Sequence, residues 1–498
     1  MNDNPPLDIV IAGGGTAGWM AAATLARFLG DHASITLVES DAIGTVGVGE
    51  ATIPQIHNLL VGLGIDQAEF VDATEATFKL GIEFDGWLRE GESYIHSFGT
   101  TGRGAGLIPF RQLWLRGRKI GVAESFGAYG LNVVAARKGR FAFGKDANLP
   151  YAFHFDASKV AVVLRRYAEE RGVKRYEGKI SSVTRDAATG DIAALVLDGD
   201  RRIEGNLFID CTGFASLLLG KSLGVGFEDW SHWLPCDTAL AVQSENVAPP
   251  PPFTRSIARP AGWQWRIPLQ HRTGNGHVFC SAYMEQDEAA RVLLENLDGK
   301  PLTDPRAIRF TTGHRREHWS HNCIALGLAA GFMEPLESTS IHLVQSALAR
   351  LLNLLPNDLS NLSTARSMFN RLSGAEWERI RDFLVLHYVA NDRRGEPFWD
   401  HCRQIELPDT LAEKIALFEE SGLFVREDDE LFLDDSWGQV MLGQGIDPRG
   451  YSPLADNVPG EDIGPFLASV AKAARVKAEA MPTHAEALQS LVGERARA

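Results

Sequence analysis

Ile9 to Ala12 form a continuous apolar run, the pattern of a parallel strand buried on both faces, and glycines at 13, 15 and 18 follow at once. Trp19 to Leu29 reads as a helix and Ile35 to Val38 as a second buried strand ending at Glu39. Strand followed by a glycine turn recurs at Leu207 to Ile209, closed by Asp210 and Gly213, and in HNCIALGLAA at 321–330, which contains Gly327. Between them the pattern predicts a helix from Asp156 to Arg171 and strands at Ile180 to Thr184, Ile192 to Leu197 and Arg202 to Glu204. Phe70, Ala73, Thr77 and Leu80 at helical spacing predict a helix from Asp66 to Leu80 stopped by Gly81. Lys79 then falls in its last turn, complementing the helix dipole and pairing with Glu75 four residues earlier. The stretch from Trp87 to Gly144, with His96 and Phe98, is aromatic and glycine-rich without a clean period, and suits the lining of a substrate site as well as core filling. Residues 248–252 are proline-rich and read as a loop or linker. In WQWRIP, Trp263 and Trp265 share one face of a strand, and Pro268 marks an edge or an exit from pairing. Ile341 to Leu355 is a predicted helix with Ser338 or Thr339 as N-cap. From Ala375 onward the chain reads as mainly helical, with an amphipathic segment from Trp377 to Tyr388 and a polar, alanine-rich tail after Phe466.

The glycines have a ligand reading. Gly13 permits a tight turn, Gly15 lets a pyrophosphate approach the backbone, and Gly18 lets the helix pack on the strand. The N–H groups at the helix start, around Thr16 and Ala17, take the negative charge, and Glu39 is placed to accept from a ribose hydroxyl. The glycine-rich segment 40–54, including Gly49 and Ala51, passes close to such a cofactor, and Val46, Val48, Ile53 and Pro54 in it favour burial. Asp210 and Gly327, at the later turns, complete the set. The fold class is therefore α/β, with a Rossmann-type, monooxygenase-like dinucleotide module, a substrate-binding sheet and a helical C-terminal region. The module is discontinuous over 1–85, 155–225 and 310–355. Residues 86–154 and 226–309 form the substrate-side sheet and insertions, and 356–498 complete the substrate site. The fingerprint does not by itself choose between FAD and NAD.

A net charge of −15, with no long run among 49 Lys and Arg, argues against nucleic acid and anionic membranes. MNDNPPLD lacks the basic and apolar parts of a signal peptide, and no segment approaches the ~20 apolar residues of a membrane span, so a cytoplasmic protein is expected. Five scattered cysteines fit a reducing compartment and form no zinc or disulfide framework. His314 and His318 have helical spacing but no third ligand, so no metal is expected.

These residues together resemble the flavin-dependent halogenases typified by tryptophan halogenases. The likeness rests on Gly13, Gly15 and Gly18, on V-G-x-G-E-A-T-x-P at 46–54, on Lys79, on Trp263, Trp265, Ile267 and Pro268, and on P-L-E-S-T at 335–339. It implies FAD, used as FADH2 from a separate flavin reductase in diffusive or transient contact, and a halide ion as co-substrate. Oxygen and chloride or bromide give hypohalous acid, which passes through a tunnel to a small aromatic substrate. Lys79 would meet the oxidant, as a haloamine or as a hydrogen-bond donor, and Glu337 would position the electrophile or take the ring proton. Thr339 and Ser340 would bind halide through their backbone N–H groups, and the wall of Trp263, Trp265, Ile267 and Pro268 would keep substrate from the flavin. The resemblance leaves the protein a monomer or a homodimer.

Two departures bear on substrate and halide. Ser340 stands where the family usually has glycine, which leaves backbone donation intact and the choice between chloride and bromide open. At 427–445 the chain reads EDDELFLDDSWGQVMLGQG, without the tyrosines and the Phe-Trp pair of members acting on free tryptophan. The expected substrate is an indole, a tryptophan-like compound or another electron-rich arene in a more open pocket, with His96, Phe98 and Trp437 against its ring. The competing enzyme reading is a flavin-dependent aromatic hydroxylase, against which Gly327-Leu328-Ala329 replaces the usual G-D-A; a flavin-binding regulator without turnover is disfavoured by Lys79 and Glu337.

Overall fold

Leu7–Ala12 lies inside a six-stranded sheet, paired in parallel with Ala33–Glu39 on one side and Leu207–Asp210 on the other. The computed structural model describes residues 6–43, 49–144, 146–356, 359, 361–427 and 430–495. Cys323–Ala325 and Lys174–Glu177 extend this sheet in parallel, and Trp319–Ser320 closes one edge antiparallel. Val10 and Ile11 are buried on opposite faces, which is why the run carries no polar alternation. Gly18 packs the first helix, Thr16–Leu29, so tightly that a Cβ would stand 1.8 Å from the Gly13 carbonyl oxygen.

A second, seven-stranded sheet runs Arg306–Arg309, Thr238–Ser244, Thr273–Phe279, Gly262–Pro268, Thr254–Arg259, Gly81–Asp85, Ser93–Ser97. The WQWRIP strand is therefore central, and Pro268, opposite Thr273, stands at the exit of a hairpin. A small three-stranded sheet of Gly49–Ala51, Ala152–Asp156 and Thr77–Lys79 bridges the two.

Several elements differ from expectation. The predicted helix from Asp66 to Leu80 stops at Ala73, and Thr77–Lys79 is a strand. Glu75 adopts φ 54°, which breaks the helix, and its carboxylate pairs with Lys159 instead of Lys79. Thr77, Phe78, Lys79 and Leu80 are all fully buried, so this strand shows no period of two and imitates a helix in sequence. The aromatic stretch 87–144 is less irregular than its pattern, holding the strand Ser93–Ser97 and helices Phe110–Lys119 and Leu131–Arg137. His314 lies on a strand, Gly313–Arg315, so the spacing to His318 is not helical. Val46 and Val48 lie outside the described residues.

The C-terminal region is helical, from the long helix Ser363–Val389 to Gly460–Glu479 and His484–Arg495. Its last part is no loose tail. Ile463, Leu467 and Ala471 are buried against Leu113 and Phe126, and Gly117 leaves the room that Leu467 occupies. His484 reaches back to the small bridging sheet, where its Nε2 accepts the Phe78 N–H at 3.1 Å and its Nδ1–H donates to the Pro250 carbonyl at 2.7 Å. No helix among the described residues is long and apolar enough to cross a membrane.

Candidate functional site

The glycine turn opens into a cavity of about 710 Å³, within the range of small-molecule and cofactor sites. Gly13, Gly15, Thr16, Ala17, Glu39, Gly49, Ala51 and Gly327 all line it. Their glycines divide by function. At Gly13, with φ +106°, a Cβ would strike the Cys211 carbonyl at 2.2 Å, whereas at Gly15 it would meet nothing within 4 Å and would stand in the space a pyrophosphate needs. The first helix begins at Thr16 with Gly15 as N-cap and no side-chain cap, so its leading N–H groups face the cavity mouth uncapped. These features fit a dinucleotide such as FAD. Glu39 gives one oxygen to Arg175 at 2.5 Å, and its other oxygen lies beside Gly14.

Asp210 has a different task from the one expected. It is fully buried, does not line the cavity, and spends both oxygens on Thr212 N–H and Oγ1–H and on the Leu218 and Leu219 N–H groups. It shapes the turn that presents Thr212 and Gly213 to the cavity. Gly18, behind the first turn, likewise acts by packing.

Trp263, Trp265 and Ile267 form one cavity wall, while Pro268 lies beyond it at the hairpin. The Trp263 indole N–H donates to Glu334 Oε2 at 2.8 Å. Glu334 is buried and also accepts the Tyr388 hydroxyl at 2.5 Å; burial pushes its pKa up to about 7 against these two hydrogen bonds. Gly276 makes room for Trp265, since a Cβ there would stand 2.0 Å from the indole.

Across the far wall stands Lys79. Its side chain is fully buried, and Nζ donates to the Thr52 carbonyl at 3.0 Å and to Ser338 Oγ at 2.8 Å. The Phe98 ring centroid lies 5.4 Å from Nζ. Burial lowers its pKa to about 7, with the Glu337 carboxylate opposing part of the shift. Ser338 also lines the large cavity, so one residue touches both that cavity and Lys79. Its φ of 59° is a strained value for a residue with a Cβ.

Glu337 is buried and faces two imidazoles. His96 Nδ1 lies 2.9 Å from Oε2 and 3.0 Å from Oε1, and His387 Nε2 lies 3.0 Å from Oε1. Burial pushes the carboxyl pKa upward, but the His96 charge and the hydrogen bonds of both histidines outweigh it and hold the pKa at about 2. The other ring nitrogen of His387, Nδ1, lies 2.8 Å from the Phe383 carbonyl.

The remaining expected residues surround this pair unevenly. His96 is engaged edge-on with Glu337 and buried, so its polar edge serves the carboxylate and only Phe98 remains partly exposed beside Lys79. Trp437 is buried, edge-on to Phe383 at 4.8 Å, with Lys414 Nζ 4.4 Å over its ring and Lys414 bound in turn to Glu430 at 2.5 Å. Phe432 stacks on Phe383 at 3.8 Å beside it. Thr339 is the N-cap of helix Ser340–Leu354, one of the two residues expected there, though without a side-chain cap bond, and Ser338 Oγ accepts from Lys79 instead. Ser340 lines the cavity.

Sequence reading gave no individual role to Thr52, although it lies in the 46–54 motif, nor to His387, Glu334 or Tyr388. Glu334 and Glu337 flank Pro-Leu three residues apart and the polar pair His387-Tyr388 closes an apolar helical stretch, but nothing in the sequence places one against the other. Among the described residues no cluster of three or more His, Cys, Asp or Glu could hold a metal ion.

Comparison with known proteins covers most of the chain. The family model described as tryptophan halogenase matches residues 8–460. A flavin-dependent halogenase from Xanthomonas campestris, Xcc4156, is 51% identical with a TM-score of 0.96, covering 98% of this chain and 99% of that one. BrvH, a flavin-dependent halogenase from Brevundimonas sp. BAL3, is 42% identical with a TM-score of 0.94 over 98% of this chain and 100% of that one. The tryptophan 7-halogenase RebH of Lentzea aerocolonigenes is 34% identical over 528 residues, 97% of this chain and 98% of that protein.

Proposed function

The chain belongs to the tryptophan halogenase family, and from that premise we propose that it halogenates an electron-rich arene such as an indole, and not free tryptophan, by way of Lys79. It is a flavin-dependent halogenase, with FAD and halide as the family's cofactor and co-substrate, and a flavin reductase and an aromatic substrate as its partners. Bound reduced FAD supplies the electrons with which oxygen and halide become hypohalous acid. Gly15, Thr16 and Ala17 would hold its pyrophosphate and Glu39 a ribose hydroxyl. The N–H groups of Thr339 and Ser340, at the start of their helix, would orient the halide.

In this reading Lys79 takes over the oxidised halogen, either as a haloamine that forms with loss of water or as a donor to the leaving oxygen. When the ring attacks, the halogen is transferred and Glu337 accepts the ring proton; returned to the nitrogen, that proton replaces the halogen lost from the haloamine or the proton that Lys79 gave to the departing oxygen to form water. A pKa near 7 suits a group that must serve near neutrality, and a carboxyl held near 2 is ionised there, a weak base that suffices only for a strongly acidic donor such as the halogenated ring cation. The carrying observation is Ser338, which lines the large cavity and hydrogen-bonds Lys79.

The substrate reading draws on the 427–445 segment, on Lys414 over Trp437 being already neutralised by Glu430, and on the Xanthomonas and Brevundimonas relatives, whose names specify no tryptophan. Purified protein with FAD, a flavin reductase, bromide and a panel of indoles, phenols, pyrroles and tryptophan tests it by mass spectrometry. Bromoindole without bromotryptophan is expected. Hydroxyindole as the sole product would replace this reading with the hydroxylase.

A further inference from the structure

The cavity wall is pinned by a carboxyl outside the halogen-transfer machinery. Glu334 Oε2 accepts both the Trp263 indole N–H and the Tyr388 hydroxyl, while Oε1 is buried with no partner among the described residues. The bare oxygen costs stability, but the other oxygen satisfies two buried donors that an apolar side chain here would leave unpaired. Stability therefore accounts for one oxygen of this carboxyl and not for the other.

Geometry gives the carboxyl a further task. Trp263 sits on a central strand and lines the cavity, its ring 6.1 Å from that of Trp265 and 6.2 Å from that of Trp87, and its N–H edge is held by Glu334. Glu334 holds the indole by its N–H edge from behind. It also begins the turn Pro335–Glu337 that carries the proton acceptor of the transfer site. Helix Ser363–Val389 holds both ends of that turn, Tyr388 touching Glu334 and His387 touching Glu337. The wall and the transfer site are thereby set in one frame.

We propose that Glu334 is a positioning residue that orients Trp263 as the partition between the cofactor cavity and the transfer site, so that oxidant made in the first reaches Lys79 and is not lost. The proposal rests on the reading of the WQWRIP strand as that partition. Its measure is halogenated indole formed per O2 consumed, with FAD affinity and the thermal midpoint recorded beside it. Glu334→Leu, which removes the acceptor, is expected to lower product per O2 on the order of tenfold, with FAD affinity unchanged. Glu334→Gln keeps an amide oxygen for the indole and should restore the wild-type ratio. Trp263→Phe keeps a ring and loses the N–H, so it should match Glu334→Leu, and the double variant should fall no further. A wild-type ratio in Glu334→Leu, or a Gln variant as poor as Leu, overturns the proposal; a purely structural role would move the midpoint and leave the ratio alone. Trp263→Leu with an undiminished ratio would be a separate result, overturning the partition itself.

Discussion

Lys79 Nζ and Ser338 Oγ lie 2.8 Å apart, joining a strand of the small bridging sheet to the turn that borders the large cavity. The bond fixes the amine from the cavity side, and Thr52 fixes it from the other. A long flexible side chain is thereby held in one position, which a group handing on a reactive halogen requires.

Lys79→Ala should abolish halogenation while FAD binding stays intact, because Lys79 does not line the cofactor cavity. A loss of at least 10²-fold is expected, on the scale of removing a positioned acid–base group. Titrating both proteins with FAD and measuring bromoindole formation decides it. Turnover that survives in the alanine variant would remove Lys79 from the mechanism.

The two buried charges give opposite dependences on pH. Lys79 has a lowered pKa, about 7 against 10.5, so as pH falls from 10.5 the unfolded chain takes up its proton first and the folded state loses stability down to about pH 7. Lys79→Met should therefore gain on the wild type between pH 10 and 7, by at most ~1.4 kcal/mol per pH unit, and gain nothing further below. Glu337, held at about 2 against 4.5, contributes stability that is complete above pH 4.5 and lost as pH falls towards 2. The advantage of the wild type over Glu337→Gln should shrink across that lower window. Denaturant titrations at stepped pH check both.

Gly15→Ala and Gly18→Ala should fail differently. A methyl at Gly15 meets no protein atom, so the thermal midpoint should hold while FAD affinity drops by an order of magnitude or more. At Gly18 the methyl would lie 1.8 Å from a carbonyl oxygen, so the folded state itself should suffer. Calorimetry alongside flavin fluorescence separates the two.

His484→Ala removes the acceptor of the Phe78 N–H, one residue before Lys79, and should cost about 1–3 kcal/mol for the buried donor left unpaired. Halogenation should slow as well, since the strand carrying Lys79 loses its tie to the C-terminal helix. Unfolding midpoints and turnover measured together test the link; an unchanged midpoint would show that the tie bears no load.

The sheet and its cofactor turn were legible because their signals are local. Ile9 to Ala12 are apolar in sequence because both faces of the strand are covered; Gly13 is demanded by its own φ of +106° and by the distant Cys211 carbonyl, Gly18 by the Gly13 carbonyl, and Gly15 by the ligand. The same local logic misled at Lys79, where burial on both faces erased the strand's alternation and left a helical spacing by coincidence. Asp210 looked like a ligand residue from its place at a strand end, yet backbone donors up to nine residues on claim both its oxygens.

By itself the amino-acid order determined the α/β class, the dinucleotide fingerprint and the motifs that mark the family, because each is written in residues close together along the chain. Only the tertiary structure decided that Lys79 is a buried amine on Ser338, that Glu337 lies between His96 and His387, and that Glu334 holds Trp263. Those pairings join residues from 50 to more than 250 positions apart, and burial, which sets their proton affinities, exists only once the distant segments have closed around them.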